Sequence, residues 1–164
     1  MIFMLKKTEG EILTENINIG IIISRFNEPV TENLLKGALK ALKSNGLGES
    51  NIEIFYVPGA FEIPAVMKKL CRQNLDKRKL DGLLTIGCVI KGETAHFEYI
   101  CESVSDSINK ISYDYEMPTG FCILTCYNPQ QAHERSGIPP TAENNKGYEA
   151  GLTLLEMINL MNKI

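Results

Sequence analysis

At 164 residues, 44% apolar and 23% charged, the chain has the size and balance of one globular domain with a single core, and no second domain is expected. A net charge of −3 and a pI near 5.5, carried by scattered lysines and arginines, leave no basic stripe for nucleic acid or an acidic membrane surface. Residues 1–7 hold only a short apolar patch, too short for the core of a leader, and no later stretch stays apolar long enough to span a bilayer; the expected compartment is the cytoplasm. The five cysteines form no C-x-x-C pair, so neither a disulfide framework nor a zinc site is expected, and Cys88 and Cys122, set in apolar runs, read as buried, inert thiols.

Along the chain, the first apolar run (18–24) is nearly unbroken and rich in β-branched residues, as a parallel strand buried on both faces should be. Asn27 is expected to cap a helix with Pro29 in its first turn, a stripe through Leu34, Leu35, Ala38, Leu39 and Leu42, and a stop at Gly46. A second strand at 52–57 precedes a helix opened by Pro64 and running through Leu75. The third strand (82–90) leads to a helix from about Phe97 through Ile111. The fourth (120–125) precedes a short helix that Pro129 opens and that ends near Gly137. Residues 138–145 (IPPTAENN) read as a polar surface loop, and a last helix at about 146–162 places Ala150, Leu154, Ile158 and Met161 on one face. This alternation predicts a three-layer α/β/α domain on a four-stranded parallel sheet with right-handed crossovers, and leaves room for a short N-terminal edge strand.

Ligands of open α/β sheets bind beyond the carboxyl ends of the strands, where loops converge and helix N-termini present donors. Four loops are thereby nominated: Arg25-Phe26-Asn27, Pro58-Gly59-Ala60-Phe61-Glu62, Lys91-Gly92-Glu93-Thr94-Ala95-His96 and Cys126-Tyr127-Asn128-Pro129. They are expected to share one pocket. Gly87 to Gly92 has the glycine spacing of a P-loop, but Glu93 stands where the lysine is required, and no G-x-G-x-x-G follows the first strand, so both nucleotide motifs fail. The Gly92 turn can still form an anion site at a helix N-terminus, reinforced by Lys91 and Thr94; equally, Gly92 can serve only the turn and Thr94 only the helix cap. His96, in the first turn of its helix, suits proton transfer near neutral pH or is an ordinary surface histidine, and His133 reads as surface or packing. Phe26 is either core or an exposed platform for a flat heterocycle, and Glu62 either a ligand group or the cap of the Pro64 helix.

In sum, these segments resemble the lumazine synthase family. The resemblance rests on Gly20-Ile21-Ile22-Ile23-Ser24-Arg25-Phe26-Asn27, Val57-Pro58-Gly59-Ala60-Phe61-Glu62-Ile63-Pro64, and Gly87-Cys88-Val89-Ile90-Lys91-Gly92-Glu93-Thr94-Ala95-His96-Phe97. It continues through Leu124-Thr125, Gln131-Ala132-His133-Glu134-Arg135-Ser136-Gly137 and Asn145-Lys146-Gly147-Tyr148-Glu149-Ala150, all in order. It implies a flavodoxin-like sheet of order 2-1-3-4, pentamers with active sites between neighbours, and no metal or organic cofactor. The implied reaction condenses a ribitylamino-pyrimidine with a butanone phosphate to a lumazine.

The same resemblance assigns roles. Phe26 and Asn27 belong to the pyrimidine site, with Phe26 stacking on the ring; the backbone of Gly59, Ala60 and Phe61 holds its edge; Glu62 accepts from the ribityl chain; and Val89 and Ile90 contact the ring. Gly92, Glu93 and Thr94 cradle the phosphate, His96 shuttles protons, and Arg135 and Phe121 arrive from an adjacent subunit, with Lys146 and Glu149 nearby. Two departures stand out: Lys91 replaces a frequent arginine, and the loop from Gly137 to Lys146 is a few residues longer than in shell-forming members, which favours a free pentamer. Competing readings are a non-catalytic flavin-precursor binding protein, an archaeal-type riboflavin synthase and a purely structural shell protein.

Overall fold

In place of the single core expected from size and composition, the apolar side chains form two separate cores, one on either side of one sheet. The computed structural model describes residues 5–77 and 79–164, so the apolar patch at residues 1–4 lies outside it. The elements are β1 (Ile19–Ser24), α1 (Glu28–Ser44), β2 (Ile52–Val57), α2 (Ile63–Asp76), β3 (Gly82–Ile90), α3 (His96–Asp114), β4 (Thr119–Cys126), α4 (Pro129–Arg135) and α5 (Lys146–Lys163). The sheet order is β2-β1-β3-β4, and all three pairings are parallel. No strand precedes Ile19 among the described residues; instead residues 9–13 lie against the end of α5, where Asn159 Nδ2 donates to the Leu13 carbonyl and Lys163 Nζ to that of Glu9.

Alternate residues of β1 separate the layers. Ile19, Ile21 and Ile23 face a core built with Leu34, Leu35, Ala38 and Leu42 of α1 and Leu154, Leu155 and Ile158 of α5. Ile22 faces the other core, with Ile63, Met67 and Cys71 of α2 and Val104, Ile108 and Ile111 of α3. All six β1 residues are buried, the expected signature of a central parallel strand. The close packing of α1 on α5 depends on glycine: a Cβ at Gly147 would fall 2.6 Å from the carbonyl carbon of Leu34, and one at Gly37 would collide with the Asn145 side chain. Asn145, nearly fully buried, caps α5 by accepting from Tyr148 N–H and donates to the carbonyls of Asn33 and Gly137.

The helices match the sequence expectations with small shifts at their ends. The first ends at Ser44, two residues before Gly46, whose positive φ of 96° carries the chain out of the helix; the third extends to Asp114 rather than stopping near Ile111. No helix among the described residues is long and apolar enough to cross a membrane.

Candidate functional site

Beyond β1 the chain continues to track β2, because Arg25 N–H donates to the Val57 carbonyl (2.9 Å) and Phe26 N–H to that of Pro58 (3.0 Å). Phe26 is thereby delivered 72% exposed at the carboxyl edge of the sheet, so it is not core. Asn27 does not cap α1 with its side chain as expected. Its backbone is left-handed (φ 59°), which turns the amide toward the sheet, and Nδ2 donates to the Cys88 carbonyl at 2.9 Å. The carbonyl of Asn27 starts the helix, accepting from Val30 and Thr31 N–H. One side chain thus ties the Phe26 loop to the end of β3.

The β2–α2 connection is closed on itself. Glu62 Oε2 accepts from Gly59 N–H at 2.8 Å while Glu62 N–H donates back to the Gly59 carbonyl at 3.3 Å, forming a 3₁₀ turn over Ala60–Glu62. Glu62 therefore caps this turn rather than the Pro64 helix, and holds Phe61 outward. At the end of β3, Lys91 N–H donates to the Cys126 carbonyl (2.9 Å), after which Gly92, Glu93 and Thr94 form an exposed turn. Thr94 Oγ1 accepts weakly from His96 N–H at 3.4 Å, and Ala95, not Thr94, occupies the cap position of α3.

Together these loops bound a concavity of about 360 Å³. Phe26, Gly59, Ala60 and Phe61 come from the first two loops, Cys88, Val89 and Ile90 from β3, and Gly92, Thr94, His96, Phe97 and Ile100 from the turn and α3. Two exposed phenyl rings beside strand-end backbone suit a flat heterocycle, and the α3 N-terminus with its glycine turn suits an anion. No lysine, arginine, aspartate or glutamate among the described residues lines this space. Asn27, Glu62 and Glu93 lie behind or beside it rather than on its surface. Phe97 and Ile100 were not anticipated as lining; the i, i+4 spacing of Ile100 from His96 was the available signal.

Phe121, Arg135 and Lys146 are not part of that space. They line a second concavity of about 420 Å³ along the open edge of β4, with Thr125, Glu149 and Thr153. Arg135 ends α4, with Nη1 donating to the Gln131 carbonyl at 3.2 Å, and Lys146 is ion-paired with Glu149 in the first turn of α5. Of the four loops expected to share one pocket, the first three do and the fourth does not, while Phe121, Arg135 and Lys146, two of which the resemblance brings from an adjacent subunit, lie apart from it within one chain. The reason is positional: β4 is an edge strand, so side chains along its outer side open away from the end of β3. Cys126 and Tyr127 of the fourth loop line neither space. Burial pushes the thiols of Cys88 and Cys122 up to about 12, in keeping with inert packing groups.

A family model described as 6,7-dimethyl-8-ribityllumazine synthase matches residues 16–162, a span that takes in both concavities. The chain belongs to this family. The family is one of transferases in riboflavin biosynthesis, and the four-stranded 2-1-3-4 parallel sheet is consistent with it.

Proposed function

We propose that the chain condenses 5-amino-6-(D-ribitylamino)uracil with L-3,4-dihydroxy-2-butanone 4-phosphate to 6,7-dimethyl-8-ribityllumazine, releasing phosphate and water. The observation that carries this reading is the convergence, within a chain of this family, of Phe26, the Gly59–Phe61 backbone and His96 on one concavity at the carboxyl edge of the sheet. The pyrimidine stacks on Phe26, with its edge against Gly59, Ala60 and Phe61 and its ring against Val89 and Ile90. Glu62, already bonded through one oxygen to Gly59 N–H, accepts from the ribityl chain with the other. The ketose phosphate lies over Gly92, Glu93 and Thr94 at the α3 N-terminus.

The 5-amine attacks the ketone, water leaves to give an imine, phosphate is eliminated, and tautomerisation, ring closure and a second dehydration follow. These are proton movements on two held substrates, so orientation and one shuttle, His96, supply the catalysis. Arg135 orients the phosphate and screens its departure; a charge-assisted contact of this kind contributes about 1.5–3 kcal/mol.

The division of the site residues between two concavities supports a homo-oligomer. A cyclic arrangement in which the β4 edge of one copy closes the Phe26 concavity of the next brings Phe121, Arg135 and Lys146 to the substrates, and a heterologous contact repeated by rotation closes into a ring. We take that ring to be a pentamer in the cytoplasm. The loop between Gly137 and Lys146, held by Gly137 N–H to the Asn144 carbonyl (2.9 Å) and by Lys40 Nζ to that of Pro140 (2.9 Å), is longer than in shell-forming members, and that length supports a free pentamer over a shell.

The test is to incubate the purified protein with both substrates and follow lumazine fluorescence beside a His96→Ala, Arg135→Ala double variant and a protein-free control. Product well above both controls is expected. Tight pyrimidine binding without product would instead establish a flavin-precursor binding protein.

A further inference from the structure

Within one copy, the concavity assigned to a phosphorylated ketose offers no cation of its own, Arg135 reaching it only from the next copy in the proposed ring. A phosphate monoester carries nearly two negative charges near neutrality, yet no lysine or arginine lines the space among the described residues. The cation nearest in sequence, Lys91, directly precedes the Gly92–Thr94 turn, but its side chain is engaged elsewhere. Nζ lies 2.9 Å from Glu98 Oε1 and 5.8 Å from the centroid of the Tyr127 ring, and Tyr127 in turn packs on Phe97 with centroids 6.2 Å apart. Because Lys91 N–H is bonded to the Cys126 carbonyl, the backbone is held, and the ammonium can change partner only by rotating its side chain.

Glu98 occupies the first turn of α3, the region where helix N–H groups favour an anion. Its carboxyl is held below the ordinary range first by the Lys91 ammonium and then by its own backbone N–H, and Glu98 in return is the main cause of the raised Lys91 value. The carboxylate thus engages the kinds of donor that a phosphate at this helix end requires.

We propose that Glu98 is a positioning residue that competes with phosphate for Lys91: the ammonium pairs with Glu98 in the empty site, turns to the phosphate of the bound ketose, and returns to Glu98 as inorganic phosphate departs. The proposal rests on the reaction given under Proposed function. Exchange is facile because both side chains are about half exposed, at 42% and 52%, and exposed ion pairs are weak. The consequence is that Glu98 weakens phosphate binding while easing product release, leaving the pyrimidine half of the site alone.

The experiment combines steady-state kinetics, varying each substrate in turn with inorganic phosphate as inhibitor, with calorimetric titration of inorganic phosphate. It is run on the unaltered protein, Glu98→Gln, Lys91→Gln and the double variant. Glu98→Gln is expected to lower both KM for the ketose phosphate and the inhibition constant of inorganic phosphate by about three- to tenfold, leaving KM for the pyrimidine unchanged. Lys91→Gln should raise the same two constants, and the double variant should behave as Lys91→Gln does, because the effect of Glu98 acts through Lys91. Weaker phosphate binding in Glu98→Gln, or a gain that persists without Lys91, overturns the proposal. So does a parallel loss in both KM values together with thermal stability, which would make the pair a structural tie only. If the unaltered protein forms no lumazine, the proposed reaction fails, while the phosphate titration still decides the role of Glu98.

Discussion

Replacing Gly147 by alanine sets two well-defined effects against each other. Alanine is favoured over glycine within a helix by about 1 kcal/mol, and Gly147 lies in the first turn of α5. The added Cβ, however, would stand 2.6 Å from the carbonyl carbon of Leu34 and 2.9 Å from its Cα, with the carbonyl oxygen nearer still, and none of these backbone atoms can rotate aside. Restoring ordinary contact requires α1 and α5 to part by about an ångström, and a radial gap of that order forfeits a quarter to a half of each dispersion contact across it. The affected contacts include those around Leu34, Ala38, Leu154 and Leu155, and the Asn145 hydrogen bond to the Asn33 carbonyl. Overpacking of this kind costs about 1–3 kcal/mol, and with the added loss of contact we expect a net destabilisation of about 2 kcal/mol after the propensity gain. Urea unfolding at one fixed protein concentration should show the midpoint lowered by about 1 M without change in slope. Gly92→Ala serves as the comparator, because a Cβ there meets nothing within 4 Å; its midpoint should not move. A Gly147→Ala midpoint equal to or above that of the unaltered protein would refute the reasoning, since it would mean that the helices separate at no cost.

Two further outcomes follow from the same structure. Asn27→Ala loses the amide bond to the Cys88 carbonyl and must also place a Cβ-bearing residue without local hydrogen bonding at φ 59°, whereas Asn27→Gly loses only the bond. Glycine should therefore be the more stable of the two by about 1 kcal/mol in the same urea assay, and the order would reverse if the left-handed turn were unimportant. The Cys122 thiol is raised by burial from 9.0 to about 12, so its stabilising contribution is complete below about pH 9 and is lost as the pH climbs toward 12. At pH 10 the unfolded chain gains about 1.4 kcal/mol from ionising this thiol, and Cys122→Ala should lose correspondingly less stability than the unaltered protein between pH 8 and pH 10. Identical losses in the two proteins would show that Cys122 ionises as readily folded as unfolded.

Most of the fold was legible in the chain because its signals are local. Unbroken β-branched runs marked strands buried on both faces, Pro29, Pro64 and Pro129 marked helix starts, and the leucine stripe of α1 had a helical period. The loops after β1, β2 and β3 were likewise identified from the rule that ligands gather at the carboxyl edge, and the structure brings Phe26, Gly59, Ala60, Phe61, Gly92, Thr94 and His96 together there.

What local pattern could not determine was where polar side chains spend their hydrogen bonds. Asn27 and Glu62 carry the composition of helix caps, but one bonds the carbonyl at Cys88 and the other the N–H at Gly59, choices set by which backbone groups the packed loops leave nearby. The same holds for Lys91, whose ammonium lies against Glu98 and the Tyr127 ring instead of the turn it precedes. Nor could strand-end position alone show that the loop from Cys126 to Pro129 lines neither concavity, because that depends on β4 lying at the sheet edge with α4 and α5 beside it. The sequence by itself determined the elements, the layers they form and the family, all of which follow from periodicity and short motifs. Only the tertiary structure decided the partners of the polar groups and the exclusion of the fourth loop from the pocket, because both are set by distances between segments remote along the chain.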